Sequence, residues 1–219
     1  MLDRLDDNLW SVGGPDVVAA LGFSYPTRMI VARLPDGGLW VHSPVRLTDD
    51  LRAALAGVGP VAHILAPNAL HDTWLADWAT AFPDAAVWTA PGVAGPERAQ
   101  VVETAPAVWQ GVFDMVLFPT RLARELVPFH RPSGTIHFTD LVQHLSPRRY
   151  RGWRSVVARL DGMTAPAPRV PRKFRLATAP RDDARAALRV MLGWPVTRMT
   201  MAHGPVTPQP DLAALFDWL

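Results

Sequence analysis

The chain has no cysteine and only one lysine, Lys173, among 22 basic residues. Without cysteine there can be no disulfide, thiolate metal ligand or cysteine nucleophile. The compartment stays open on that ground, because a cytosolic protein can simply lack the residue. No apolar run approaches the roughly 18 residues that span a bilayer. The opening MLDRLDDNLW is acidic and amphipathic, with no basic region leading into an apolar stretch, so a cytoplasmic protein without a signal peptide is expected. None of the serines lies in a G-x-S-x-G elbow, which leaves a serine hydrolase unsupported. Net charge is also scarce, at +2. Arginine supplies the basic character, and it concentrates between Arg148 and Arg189, in RRYRGWR and PRVPRKFR.

The 219 residues, 49% apolar and 19% charged, suffice for a domain with a substantial core. MIVARL and GLWVHSPV flank Pro35-Asp36-Gly37-Gly38, which predicts a hairpin. LTDDLRAALAGVG predicts a helix capped by Thr48 and ended by Gly57 or Gly59. VAHILAP and AAVWTAP read as strands on either side of a HDTWLADWATAFP helix. FDMVLFPT, RELVPFH and GTIHFTDLV read as three consecutive strands. RDDARAALRVMLGW is a helix, VTRMTMAHG a strand and DLAALFDWL a terminal helix. Two successive blocks of strands mixed with helices predict an α/β protein with two helix-covered sheets. Residues 1–219 read as one domain, with an Arg- and Pro-rich excursion at about 147–180.

Four residues, Asp72, His130, Asp140 and His203, each fall where a strand runs into a loop. Carboxylate and imidazole groups converging from several segments are what a metal ion requires. The order of these segments resembles the metallo-β-lactamase superfamily. That resemblance implies a four-layer αββα sandwich of α+β type, with a metal site on loops at one edge of the sheets. The superfamily's T-H-x-H-x-D-H signature is similar to HILAPNALHDTW. Asp72 matches its aspartate, whereas Asn68, Leu70 and Thr73 stand where histidines would be. Pro128-Phe129-His130-Arg131-Pro132-Ser133-Gly134 resembles P-G-H-T-P-G-S, Thr139-Asp140-Leu141 resembles G-D-L, and Ala202-His203-Gly204 resembles G-H-G. FHRPSGTIHFTDLV and AHGPV resemble, more narrowly, an uncharacterised bacterial family related to that fold.

An intact site of the superfamily holds two metals and activates a water for attack on a carbonyl or phosphoryl centre. Here the resemblance leaves Asp72, Asp140 and His203 for one position, with His130 as a further ligand or proton shuttle. Asn68 and His71 are auxiliary candidates. One divalent ion, Zn²⁺, Mn²⁺ or Fe²⁺, is then expected, or none. The alternative is that Asp72 caps the WLADW helix while His130 and His203 hydrogen-bond to Asp140 without any metal.

The other histidines read as packing residues. His63 is expected in a strand, His42 at a strand end that can face the cleft, His137 pointing away from the core, and His144 near the pocket. Trp74, Trp78 and Trp88 are expected to pack on a sheet. Two function classes stay open: a single-metal hydrolase of unspecified substrate, and a non-catalytic ligand-binding or interaction protein on the same scaffold. The expected partner is a small molecule. No membrane partner is expected, the exposed Arg/Trp segment suits a homodimer contact, and nucleic acid ranks last.

Overall fold

The computed structural model describes residues Met1–Leu219. Twelve strands form two sheets. The first contains β1 (Asp3–Asp6), β2 (Leu9–Val18), β3 (Ser24–Arg33), β4 (Leu39–His42), β5 (Val61–Ala66), β6 (Ala86–Thr89) and β7 (Gln100–Val101), side by side in chain order. The second contains β8 (Phe113–Phe118), β9 (Glu125–His130), β10 (Thr135–Phe138), β11 (Arg198–Met201) and β12 (Thr207–Pro208), in the order β12-β11-β10-β9-β8. Helices α1 (Asp49–Ala56) and α2 (Leu75–Ala81) cover the first sheet. Helices α4 (Arg172–Ala177), α5 (Arg181–Leu192) and α6 (Leu212–Leu215) cover the second. Between β10 and α4, α3 (Trp153–Asp161) stands apart from both covers.

Strand alternation explains the layering. In β4, Leu39 and Val41 join the core shared with Leu51 and Leu55 of α1, whereas Trp40 points the other way and packs with Trp109 and Phe113 between the sheets. In β10, Ile136 and Phe138 face Ala187 and Met191 of α5. Such two-sided burial needs a layer on each face, and the result is the α-β-β-α stack expected from the resemblance.

Local signals place several elements. The Pro35–Gly38 turn joins antiparallel β3 and β4, with Gly37 at φ 87°. Thr48 caps α1 by accepting the Leu51 N–H at 3.2 Å, and Gly57 follows its last residue. α2 is shorter than expected. It starts at Leu75 after an N-cap, Trp74, whose side chain makes no cap bond, so the Asp72 side chain does not cap it. The terminal helix is also short, covering only Leu212–Leu215.

Candidate metal centre

Strand direction decides which residues meet. β4 and β5 are parallel, so their C-terminal ends share one edge of the first sheet. Ser43 follows β4, and Asn68, His71 and Asp72 follow β5. β10 and β11 are parallel as well, which brings Asp140 and His203 together at the corresponding edge of the second sheet. Ligands of open α/β sheets bind in this position, outside the carboxyl ends of the strands.

His71, Asp140 and His203 converge there, all buried, with one ligand atom from each within 4.8 Å of the others. His71 Nε2 lies 3.2 Å from Asp140 Oδ2, and His203 Nε2 lies 3.2 Å from Asp140 Oδ1. The outer nitrogens are anchored: His203 Nδ1 is 2.7 Å from the Pro26 carbonyl oxygen, and His71 Nδ1 is 2.7 Å from Ser43 Oγ. A carbonyl can only accept, so His203 Nδ1 carries a proton. In the neutral ring this leaves an Nε2 lone pair facing a carboxylate oxygen. Two such acceptors need a cation between them, either a proton or a metal ion. A second anchor on the remote nitrogen is also what a metal-ligating histidine ordinarily has. Around tetrahedral Zn²⁺, neighbouring N and O ligands sit roughly 3.3 Å apart, and both imidazole–carboxylate distances match that spacing. The donor set therefore fits one divalent ion.

Electrostatics agree with the geometry. Burial alone would raise the Asp140 pKa, but the imidazoles of His71 and His203 hold it well below the usual carboxylate range. Burial lowers the His71 pKa, yet Asp140, with smaller help from Glu125 and Asp72, brings it above its ordinary value. Ser43 adopts φ 55°, a left-handed conformation that is uncommon for serine, while its Oγ reaches His71.

Of the residues expected at the site, Asp140 and His203 lie in the cluster, together with His71, an auxiliary candidate that stands at a variable position of the motif beside Asp72. Asp72 lies in the same cleft but outside the three-residue group. Asn68 is buried with Oδ1 accepting the Leu70 N–H, and its Nδ2 is directed at Asp140, Thr139 and Glu125. An amide nitrogen has no lone pair for a metal, so Asn68 orients Asp140 rather than ligating.

His130 is elsewhere. β9 runs antiparallel to β10 with His130 opposite Thr135, so the histidine sits at the hairpin end of the strand. Roughly 17 Å of extended chain separates it from the other end of β9. There it bonds Ser133 Oγ at 2.7 Å and lines a different hollow with Asp6, Asn8 and Pro35. The similarity of PFHRPSG to P-G-H-T-P-G-S does not extend to its position in space.

The residue at the site end of β9 is Glu125, which the motifs gave no reason to single out. Its buried carboxylate accepts the backbone N–H groups of Thr139 at 2.7 Å and of Asp140 and Leu141 at 2.9 Å. Burial and the Asp140 charge raise its pKa, against the lowering effect of those N–H groups. A lone acid within the apolar run RELVPFH was the available signal.

Three other histidines are now placed. His137 does not point away from the core: it is fully buried between the sheets, bonded to Thr200 Oγ1 at 2.7 Å. His42 is buried beside it, with ring centroids 6.2 Å apart, and burial lowers its pKa to about 3. His63 accepts from Trp88 Nε1 at 3.1 Å.

A cleft of about 540 Å³ opens onto the cluster, within the usual range for small-molecule sites. Leu70, Trp74, Leu122 and Phe174 form apolar wall, while Asp72, Gln143 and Lys173 contribute polar groups.

Comparison with solved structures decides the fold. DIM-1 metallo-β-lactamase exposed to ceftazidime superposes with a TM-score of 0.64 at 9% identity, over 100% of this chain and 93% of that one. The chain has the metallo-β-lactamase fold. FIM-1 from Pseudomonas aeruginosa, in a mono-zinc form, aligns with a TM-score of 0.56 at 12% identity, over 100% of this chain and 92% of its own. The metal-soaked Flv1 flavodiiron core from Synechocystis sp. PCC6803 aligns at 0.65 with 12% identity, over 100% of this chain and 60% of that chain. Identities this low carry the metallo-β-lactamase fold and no activity. A family model described as a domain of unknown function, DUF4336, matches residues 6–94. The match covers the N-terminal part of the chain and is consistent with an uncharacterised, divergent family; FHRPSGTIHFTDLV and AHGPV lie outside the matched residues. No curated protein matches in sequence.

Proposed function

We propose that this chain is a metal-dependent hydrolase working with one divalent ion held by His71, Asp140 and His203. The observation that carries the reading is the His203 ring, whose Nδ1–H is committed to Pro26 while Nε2 faces Asp140. Two nitrogens and a carboxylate suit Zn²⁺, Mn²⁺ or Fe²⁺. Such an ion supplies Lewis acidity for hydrolysis at a carbonyl or phosphoryl centre. Ser43 and Pro26 hold the two rings in register, and Asn68 and Glu125 hold Asp140. Asp72, in the same cleft, orients the attacking water. Gln143, fully buried behind the cleft wall, supports the Asp140 backbone by donating Nε2–H to its carbonyl oxygen at 3.1 Å. The apolar walls favour a substrate with an apolar body. Elemental analysis of protein purified without chelator tests this: about one equivalent of a transition metal, lost in Asp140→Asn, is expected. No metal after reconstitution with Zn²⁺, Mn²⁺ and Fe²⁺ overturns it.

A metal-free ligand-binding protein is the second reading. In its favour, a proton on each imidazole lets His71 and His203 donate to Asp140, to which the Asn68 amide also donates. It expects identical thermal unfolding with and without EDTA, whereas a bound metal adds stability that the chelator removes.

A further inference from the structure

Helix α3 is amphipathic the wrong way round for a helix of a globular domain. Its inward residues are small or polar, Ala158 being buried and Ser155 half-buried. Its outward residues Val156, Val157 and Leu160 continue a stripe from Trp153 at i, i+3, i+4 and i+7; one edge of the Trp153 ring packs on Phe23, with centroids 5.8 Å apart, and the rest is open. Trp153 is 51% exposed and Leu160 59%. Arg151 and Arg159, both exposed, flank the stripe, and no ion pair involves either.

The helix is anchored beside the cleft by packing and a hydrogen bond. Its inner side packs on Phe23, Tyr150 and Met163, and Tyr25, partly buried against that group, lines the cleft and lies 5.0 Å from the His203 ring. Arg154 Nε donates to the Leu21 carbonyl at 2.8 Å. Leu21 is itself 73% exposed, with φ 59°, and follows Ala20 at the cleft mouth. Exposed apolar surface thus extends from α3 to the cleft rim.

We propose that α3 and the Leu21 turn form a docking surface for an anionic lipid bilayer, with the cleft mouth beside it. An outward apolar stripe with tryptophan and flanking arginines is the composition of an interfacial helix. Charge complementarity selects the occupant. A second copy docked face to face would set the arginines of one protomer against those of the other, whereas anionic headgroups neutralise them. Nucleic acid would satisfy the arginines but leave Val156, Val157 and Leu160 with nothing to bury against. The surface is independent of the metal centre, so Asp140→Asn is expected to dock normally.

Co-sedimentation with vesicles of phosphatidylcholine alone, and of phosphatidylcholine mixed with phosphatidylglycerol, tests the proposal. The full chain is expected to sediment with the anionic vesicles, to remain largely free with the neutral ones, and to be released by high salt. Arg151→Gln with Arg159→Gln is expected to weaken anionic binding about 30-fold. Val157→Glu with Leu160→Glu, both at exposed positions, is expected to abolish it while leaving the unfolding temperature unchanged. The proposal is overturned if the chain ignores anionic vesicles, or if the Val157/Leu160 variant sediments like the wild type. It is equally overturned if light scattering shows a dimer that this variant dissociates, or if RNA is bound in place of vesicles.

Discussion

Glu125 Oε2 accepts the backbone N–H of Asp140 at 2.9 Å, so one buried carboxylate fixes the position of another. The arrangement is electrostatically costly in isolation, because two acids share a buried space. Three backbone N–H groups and the Asn68 amide offset that cost on the Glu125 side, and two imidazoles do so on the Asp140 side.

Removing Glu125 tests this directly. Glu125→Ala leaves the N–H groups of residues 139–141 buried without an acceptor, which is expected to destabilise the fold by about 2–4 kcal/mol. Thermal unfolding should fall by roughly 5–15 °C at this chain length. A shift under a degree or two would mean that these bonds contribute nothing net.

Ser43→Ala removes the anchor on His71 Nδ1 and leaves the ring free to rotate. Metal affinity is expected to drop about 10- to 100-fold with little change in stability. Competition with a chromophoric chelator reads the affinity. Unchanged affinity would remove His71 from the ligand set.

His130 gives the complementary test. Placed at the hairpin end of β9, it is expected to be dispensable for metal, so His130→Gln should retain full metal content by elemental analysis. Loss of the metal in this variant would restore His130 to the centre.

The same histidine predicts an acid sensitivity. Burial lowers its pKa from 6.5 to about 4, against a minor opposing effect of Asp6. The folded state therefore favours the neutral ring more strongly than the unfolded chain does. Its contribution is fully present above pH 6.5 and is lost as the pH falls from there toward 4, by up to about 3 kcal/mol. Urea titrations across that window should show the decline, and His130→Gln should flatten part of it.

The sequence determined the local elements and the layering. A Pro-Asp-Gly-Gly turn, a threonine cap and strands apolar on both faces are decided within a few residues, and they lead to the four-layer stack. Asp140 and His203 were legible for the same reason: each follows its own strand directly. Tertiary structure decided the rest of the site. Whether His130 or Glu125 reaches Asp140 depends on which end of β9 lies beside the end of β10, and antiparallel pairing selects Glu125. Whether His71 or Asp72 joins the cluster depends on how the chain turns after β5, with Asn68 pinned to Asp140 and Ser43 reaching the ring from β4. Spacing along a chain carries no record of strand direction, and a ligand set is made of residues whose strand ends share an edge.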